Sequence, residues 1–320
     1  MAALGVGLWF LLAPSGLPSG LQVIYLDANT LTRYDVDSAS SRSLAVIRSP
    51  LWADLSPGGR YLAYLPQEEE DTPGRLTIFD TTTGDETDVG AGASGAWNDT
   101  GTDLAFAAPY GDGTSFTLSV ASAAQGFEPR VLLEDIGYNP IAWSGDRIVL
   151  FHRERGEGAL YREGEAAPQS FAAGIAGLWG VSPDGEYAIT VDAQGVSSSI
   201  PLLGGARIPL DLGGFELKDG AWRPGTHEAL APLSGVDADG RATSRLVLID
   251  ASTGRVKDLQ DAPVRGAVYW DPRGETFSYL DVLPGSLRLC SFGGGCDSVL
   301  QIRNNQFPLG VVQTAALGGR

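Results

Sequence analysis

Apolar and polar residues alternate in short runs along most of the chain, and a turn follows most of these runs. Typical runs are Tyr61–Leu65, Arg147–Phe151 and Thr276–Leu280. A period of two predicts β-strands with one buried face, and no stretch keeps the period of an amphipathic helix. The pattern therefore predicts an all-β protein made of many short strands.

Tryptophans mark a repeat within this pattern. Apart from Trp9, they stand at positions 52, 97, 143, 179, 222 and 270, at intervals of 45, 46, 36, 43 and 48 residues. Each precedes a turn whose Pro, Gly, Asn or Asp residues fit the backbone angles that turns require. These turns are Ser56–Gly59, Asn98–Gly101, Ser144–Asp146, Ser182–Gly185, Arg223–Gly225 and Asp271–Gly274.

The strands that follow each turn complete a unit of four. After Ser56–Gly59, for example, the second strand is Tyr61–Leu65 and the third is Arg75–Phe79. Short fourth strands are clearest at Arg130–Leu133 and Val256–Leu259. Four strands in about 40–45 residues is the spacing of a β-propeller blade.

The segments outside the six repeats predict how the ring closes. Six blades run from about Pro50 to Arg303, and the strands Leu21–Leu26, Leu31–Asp35 and Ser43–Ile47 form a blade that lacks its first strand. Phe307–Ala315 resembles only the start of a blade. An open ring would leave two sheet edges unpaired, so we expect the C-terminal strand to complete the N-terminal blade. The prediction is a single seven-bladed domain over residues 21–320.

These turns resemble the Ser-Pro-Asp-Gly repeats of TolB-type and WD-repeat-like bacterial propellers, over nearly the whole chain. Only Ser182–Gly185 matches that motif in full. TolB itself has six blades and a preceding α/β domain that has no counterpart here. The resemblance implies a propeller that binds proteins, and it transfers no particular site residues.

Composition narrows the classes of partner. The chain has 22 Lys and Arg against 39 Asp and Glu, a net charge of −17. Such a chain is repelled by phosphate backbones and by anionic lipid, so nucleic-acid binding is disfavoured. With 2 His and 2 Cys, little is left for a zinc site, and no cofactor is implied.

The N-terminal segment, residues 1–20, is apolar. Ala2–Ala13 has no charge, and the first charged residue is Asp27. Twelve residues of helix cover about 18 Å, less than the hydrocarbon core of a bilayer. The run has the length of a signal-peptide core but lacks the positive leader, so it is either part of a signal, anchor or lipoprotein leader, or an ordinary apolar tail or strand. We favour export, which places the protein in the periplasm or at the cell surface, with membrane contact only through this segment.

The two cysteines are predicted to form a disulfide. Cys290 and Cys296 flank a Ser-Phe-Gly-Gly-Gly loop between the alternating segments Ser286–Leu289 and Ser298–Ile302. If these segments pair as a hairpin, the sulfur atoms face each other within bonding geometry. The alternative, two reduced thiols, suits a cytoplasmic protein.

Catalytic motifs are weak in this sequence. His152 and His227 fall in different blades and at opposite ends of the strands, which disfavours a metal pair or a histidine triad. No Gly-x-Ser-x-Gly elbow is present, and the glycine clusters Gly204–Gly205 and Gly293–Gly295 precede no helix. We therefore expect a non-catalytic protein.

Two alternative functions stay open. A channel-mouth enzyme (a lyase or metal-dependent hydrolase) would need at least three His, Asp or Glu at the channel entrance. A cap subunit of a membrane complex would need an exposed apolar patch.

Recognition is predicted on the face that carries the between-blade connections and the loops from second to third strands. Its acidic and aromatic residues suit a partner protein with a basic surface, or a surface glycan. These residues are Glu68, Glu69, Glu70, Asp71, Asp112, Asp237, Asp239, Tyr110, Tyr138 and Phe215. Asp237-Ala-Asp239-Gly240 weakly resembles a calcium loop, but Arg245, Leu246 and Val247 stand near the place where a bidentate Glu belongs. A solvated acidic loop is the favoured interpretation.

Overall fold

The fold is a closed ring of seven antiparallel sheets. A computed structural model describes residues 17–48, 50–67, 74–110, 115–237, 239–260, 264–281, 285–302 and 306–313. Within these ranges the regular structure is β-strand apart from one 3₁₀ turn, Ala123–Gln125. The prediction of an all-β, seven-bladed propeller is confirmed.

The chain begins in the blade that closes the ring and then builds six further blades in order. The strands of the closing blade are β1 (Leu21–Asp27), β2 (Thr30–Asp35) and β3 (Ser40–Val46). Blade one has β4 (Pro50–Leu55), β5 (Tyr61–Pro66), β6 (Arg75–Asp80) and β7 (Glu86–Ala91). Blade two has β8 (Ser94–Trp97), β9 (Asp103–Tyr110), β10 (Ser115–Ser122) and β11 (Pro129–Ile136). Blade three has β12 (Asn139–Ser144), β13 (Arg147–His152), β14 (Glu157–Arg162) and β15 (Gln169–Ala173).

The second half of the ring follows the same plan with one interruption. Blade four has β16 (Ile175–Val181), β17 (Tyr187–Asp192), β18 (Ser197–Pro201) and β19 (Ile208–Pro209). Blade five has a divided first strand, β20 (Glu216–Leu217) and β21 (Ala221–Trp222), and then β22 (Glu228–Val236), β23 (Ala242–Asp250) and β24 (Arg255–Gln260). Blade six has β25 (Val264–Trp270), β26 (Thr276–Asp281), β27 (Ser286–Ser291) and β28 (Cys296–Gln301). The last strand is β29 (Gln306–Gln313).

Ring closure occurs as predicted. The last strand, β29, pairs with β1 in antiparallel register, from Leu21 opposite Gln313 to Asp27 opposite Gln306. The closing sheet therefore has the order β29, β1, β2, β3. Residues 314 and 315, the end of the predicted strand, lie outside the described residues. Pairing of the two terminal segments removes the free edge that an open blade would expose.

The two ends of the ring have different connections. The links between blades and the loops between second and third strands lie at one end, which we call the loop face. The turns from first to second strands and from third to fourth strands lie at the other end, the turn face. The first strands of all seven blades surround a central channel.

Tryptophans join neighbouring blades. The indole N–H of Trp97 donates to the carbonyl oxygen of Asp54 at 3.2 Å, and that of Trp270 donates to the carbonyl oxygen of Ala221 at 3.1 Å. In both cases the acceptor lies on the first strand of the preceding blade. Trp97 is also buried in the apolar cluster between blades one and two. At these two positions, the tryptophan combines burial of its ring with a hydrogen bond from its indole N–H to the neighbouring blade.

The predicted disulfide is present. Cys290 is bonded to Cys296, and the two residues are directly opposite each other in the β27–β28 ladder. Their Cα atoms are 4.0 Å apart.

Part of the N-terminal segment is attached to the ring. Residues 1–16 lie outside the described residues, while Leu17 packs on the cluster formed by the closing blade and blade six. The backbone N–H of Gly20 donates to Asp37 at 2.7 Å, and the Gln313 amide donates to the carbonyl oxygen of Ser19 at 3.2 Å. In the part of the chain that the structure describes, no helix has the length and apolar character needed to span a membrane.

Candidate functional site

The loop face exposes most of the surface apolar side chains of the described residues. Nine large apolar side chains are exposed, and six of them lie at loop-face ends of strands or in loop-face loops. The six are Val46, Leu51, Tyr110, Val196, Val236 and Phe307. Of the acidic residues predicted on this face, Glu68, Glu69, Glu70, Asp71 and Asp112 lie outside the described residues.

Two of the predicted aromatic anchors are partly occupied by local contacts. The Tyr138 ring lies edge-on to His152, with the ring centroids 5.1 Å apart. Burial raises the pKa of the Tyr138 phenol, and its hydrogen bond to the Glu157 carboxylate raises it further. The Phe215 ring lies under the guanidinium of Arg245, 4.4 Å from ring centroid to carbon. Tyr110, at the end of β9, is 38% exposed, and its ring is the most accessible to a partner of the three.

Asp237 has a structural part in its own loop. One of its carboxylate oxygens accepts the backbone N–H groups of Asp239 and Arg241, each at 2.9 Å. Asp239 is exposed and forms an ion pair of 3.6 Å with Arg241. Because one Asp237 oxygen already holds the turn together, only part of this carboxylate is free for a partner or a cation.

A cavity opens at the turn face, the end of the ring opposite to the predicted recognition face. It has a volume of about 880 Å³ and continues into the central channel. Its wall includes Trp97, Trp143, Trp222, Tyr269 and Trp270. Sequence reasoning assigned no function to this end of the ring.

Asp54 lies deep in this cavity, on the first strand of blade one. Asp54 is half-buried in the cavity wall, where the surrounding first strands exclude much of the water. Desolvation therefore raises the pKa of Asp54 to about 7, although the backbone N–H of Leu55 donates to the carboxylate and opposes the shift. Desolvation also raises the pKa of Tyr269, and the carboxylates of Asp54 and Asp219 raise it further. The Tyr269 hydroxyl donates to the carbonyl oxygen of Pro308 at 2.8 Å.

The two histidines lie at opposite ends of the ring, as the sequence indicated. His152, at the loop-face end of β13, accepts the Arg155 N–H at 3.4 Å. His227, on the turn face, contacts Asp184 of the preceding blade through Nδ1. Its Nε2 lies 3.9 Å from a carboxylate oxygen of Glu186.

These turn-face residues form the one group of three metal-ligand side chains found among the described residues. Potential ligand atoms of Asp184, Glu186 and His227 all lie within 4.8 Å of one another. Asp184 also lines the cavity, so the group stands at the cavity rim. This arrangement approaches the convergence of three ligands that a channel-mouth enzyme would need. The other oxygen of Asp184 is occupied by the Ser182 hydroxyl and the Glu186 N–H, at 2.6 and 3.0 Å.

Comparison with known proteins supports the fold. No protein-family model and no curated protein matches the sequence. Among solved structures, the propeller domain of the Trilobed protease from Pyrococcus furiosus, with an open velcro topology, superimposes with a TM-score of 0.61 and 14% identity, covering 86% of this chain and 88% of that one. Hydrazine synthase from Kuenenia stuttgartiensis gives 0.54 at 16% identity, covering 77% and 79%. TolB from Acinetobacter baumannii gives 0.50 at 14% identity, covering 92% and 69%. At these identities the likeness concerns the fold alone.

Proposed function

We propose that this chain is a non-catalytic propeller that binds a partner protein through its loop face. The observation that carries the proposal is the concentration of exposed apolar side chains there, six of nine among the described residues. Exposed apolar side chains gathered on one face are a common feature of protein-interaction surfaces. The partner is a free protein or a subunit of a membrane complex, and a surface glycan is the alternative ligand.

Charge supports a basic partner. The net charge of −17 repels acidic partners, Asp237 and Asp239 lie on the loop face, and the sequence predicts Glu68–Asp71 on the same face. Acidic groups around apolar anchors speed association with a basic surface, while the anchors supply most of the binding free energy. Tyr110 and Phe307, 38% and 55% exposed, are the aromatic anchors that we assign.

We also propose that the protein is located outside the cytoplasm. The Cys290–Cys296 disulfide supports it, because disulfides persist mainly in oxidising compartments. The apolar residues 1–16 would then be part of an export or anchoring signal. We also propose that the chain is related to the TolB-type propellers with Ser-Pro-Asp-Gly turns.

Site-specific photocrosslinking in the native host tests the working face. A crosslinking amino acid replaces Tyr110 or Phe307 on the loop face, and Leu203 on the turn face serves as the control, since it is 72% exposed. We expect the same protein to be captured from Tyr110 and Phe307 and not from Leu203. Capture from Leu203 alone, or no protein captured from either loop-face position, would contradict the proposal.

A metal-dependent hydrolase is the second candidate function, and the Asp184, Glu186 and His227 group is the observation that favours it. Zinc titration by calorimetry tests this function. Binding that is lost in His227→Ala and kept in His152→Ala would favour it, since these are the 2 histidines of the chain. Equal heats in the parent and in His227→Ala would count against it.

A further inference from the structure

The turn-face cavity has the charge of a cation site. Its lining contains Asp54, Asp99, Asp184 and Asp271, and no Lys, Arg or His among the described residues. A volume of about 880 Å³ lies within the range of small-molecule sites. Four acidic residues around one concave space create a negative potential that the low dielectric of the walls strengthens.

Two of these carboxylates lack a full set of partners. No ion pair between Asp54 and a basic residue is found among the described side chains. The Asp271 side chain is completely buried, and its Oδ2 has no hydrogen-bond donor in the described part of the chain. Its Oδ1 accepts the N–H groups of Glu275 and Thr276. By contrast, Asp99 accepts the Gly145 N–H.

The walls of the cavity are aromatic and apolar. Trp143, Trp222 and Tyr269 line it and are half-buried, and Ile141 is 36% exposed. Aromatic rings attract cations through their faces, and they also accept an aliphatic stem. A hydrated metal ion gains nothing from such walls, whereas an organic cation contacts both the rings and the carboxylates.

We infer that this cavity binds an organic cation, an ammonium or guanidinium group on an apolar stem, with Asp54 as its counter-ion. The ring of first strands would hold the stem against Trp143, Trp222 and Ile141. The charge could belong to a small amine or to a Lys or Arg side chain of a peptide. The inference does not depend on the loop-face function, because the cavity opens at the other end of the ring.

The experiment titrates the whole protein with n-butylammonium and follows tryptophan fluorescence and heat. Neutral 1-butanol has nearly the same shape and is the control for hydrophobic binding. We expect a saturable response to the ammonium compound and a much weaker one to butanol. In Asp54→Asn the affinity for butylammonium should fall about tenfold, as expected for the loss of one charged partner. The variant Asp85→Asn, in the exposed turn between β6 and β7 and away from the cavity lining, should bind like the parent.

Two further arms make the result decisive. A blocked Gly-Arg-Gly peptide and free butylammonium distinguish a peptide side chain from a small amine as the source of the charge. Affinity in the parent should rise between pH 6 and pH 8 and stay level in Asp54→Asn, as expected for a carboxyl group that ionises near pH 7. Equal binding of butanol and butylammonium, no binding of either cation, or an unchanged affinity in a folded Asp54→Asn variant would overturn the inference.

Discussion

Gly59 contacts Val312 across the junction that closes the ring. Gly59 ends the first turn of blade one, with φ at +73°, and Val312 lies on the closing strand β29. A Cβ atom built on Gly59 would overlap the Val312 side chain. The junction therefore requires a residue without a side chain at position 59, for steric reasons and because of the backbone angle.

Alanine at Gly59 should destabilise the ring more than alanine at Gly58. Gly58 also has a positive φ, +86°, but an added Cβ there meets nothing within 4 Å. Gly58→Ala should lower the free energy of unfolding by about 1–2 kcal/mol through backbone strain alone. Gly59→Ala should cost about 1–3 kcal/mol more, because of overpacking against Val312. Urea unfolding measures both, and Val312→Ala should recover part of the loss in the Gly59→Ala background. Equal losses for the two glycines would contradict the steric argument.

Removal of the closing strand should be severe. Truncation after Asn305 deletes β29, which pairs with β1 along seven residue positions from Leu21 to Asp27. We expect a large fall in melting temperature or aggregation, because β1 becomes an unpaired edge and the buried Val311 and Val312 are lost from the core. Truncation after Gln313 keeps β29 and should melt like the parent. A protein ending at Asn305 that melts normally would exclude closure by this strand.

Asp54 should make stability fall as pH rises. Its pKa is about 7 in the folded protein and about 4 in the unfolded chain, so the folded state holds the proton more tightly. Ionisation between about pH 4 and pH 7 therefore costs stability. Asp54→Asn should remove this cost and be more stable than the parent at pH 8, by on the order of 2 kcal/mol, since water in the cavity screens part of the shift. The difference should disappear near pH 4.

Chemical denaturation across pH 4–8 checks the Asp54 prediction. The control is the Asp239→Asn variant. Because Asp239 is exposed, this variant should show the same dependence of stability on pH as the parent. A pH-independent difference between Asp54→Asn and the parent would contradict the assignment. Asp54→Asn is thus expected to stabilise the fold while it weakens cation binding, and general misfolding cannot produce that combination.

The disulfide should contribute little to folding. Cys290 and Cys296 are 6 residues apart, so the bond closes a short loop in a hairpin that is already paired. Replacement of both by Ser should leave the fold intact and cost about 2 kcal/mol or less. Unreduced mass spectrometry of native material should show one disulfide and no alkylatable thiol. Two free thiols would place the protein in a reducing compartment.

The architecture could be predicted because the turns after the first strands share a hydrogen-bonding role, even where their sequences differ. The first turn residue supplies a side-chain oxygen to the backbone N–H five residues later in four of the turns. The acceptors are Ser56, Asn98, Ser182 and Asp271, and the donors are Tyr61, Asp103, Tyr187 and Thr276. Ser, Asn and Asp all fill this role, so a strict Ser-Pro-Asp-Gly motif is not needed for the fold. The recurring Ser, Asn or Asp at the first turn position was therefore visible in the sequence as a mark of each blade.

The cavity could not be predicted from alternation. The first strands contain register shifts, between Pro50 and Trp52 in β4 and between Arg265 and Tyr269 in β25. Each shift changes which residues face the channel, so the orientation of Asp54 and Tyr269 does not follow from a period of two. The loops were easier to assign to a face, because topology alone decides their end of the ring. The group formed by Asp184 and His227 joins two blades and has no local signal.

The antiparallel pairing of β1 with β29 also determines how the ring responds to force. Leu21 and Gln313 are opposite each other, so the start of β1 and the end of β29 lie side by side at the turn face. Tension applied to both ends would unzip this ladder one pair at a time, from Leu21 and Gln313 towards Asp27 and Gln306. Tension between the N-terminal end and a partner on the loop face would pull β1 along its length, and its bonds to β2 and β29 would resist together. The ring should therefore resist tension applied between β1 and its loop face more strongly than tension applied between β1 and β29.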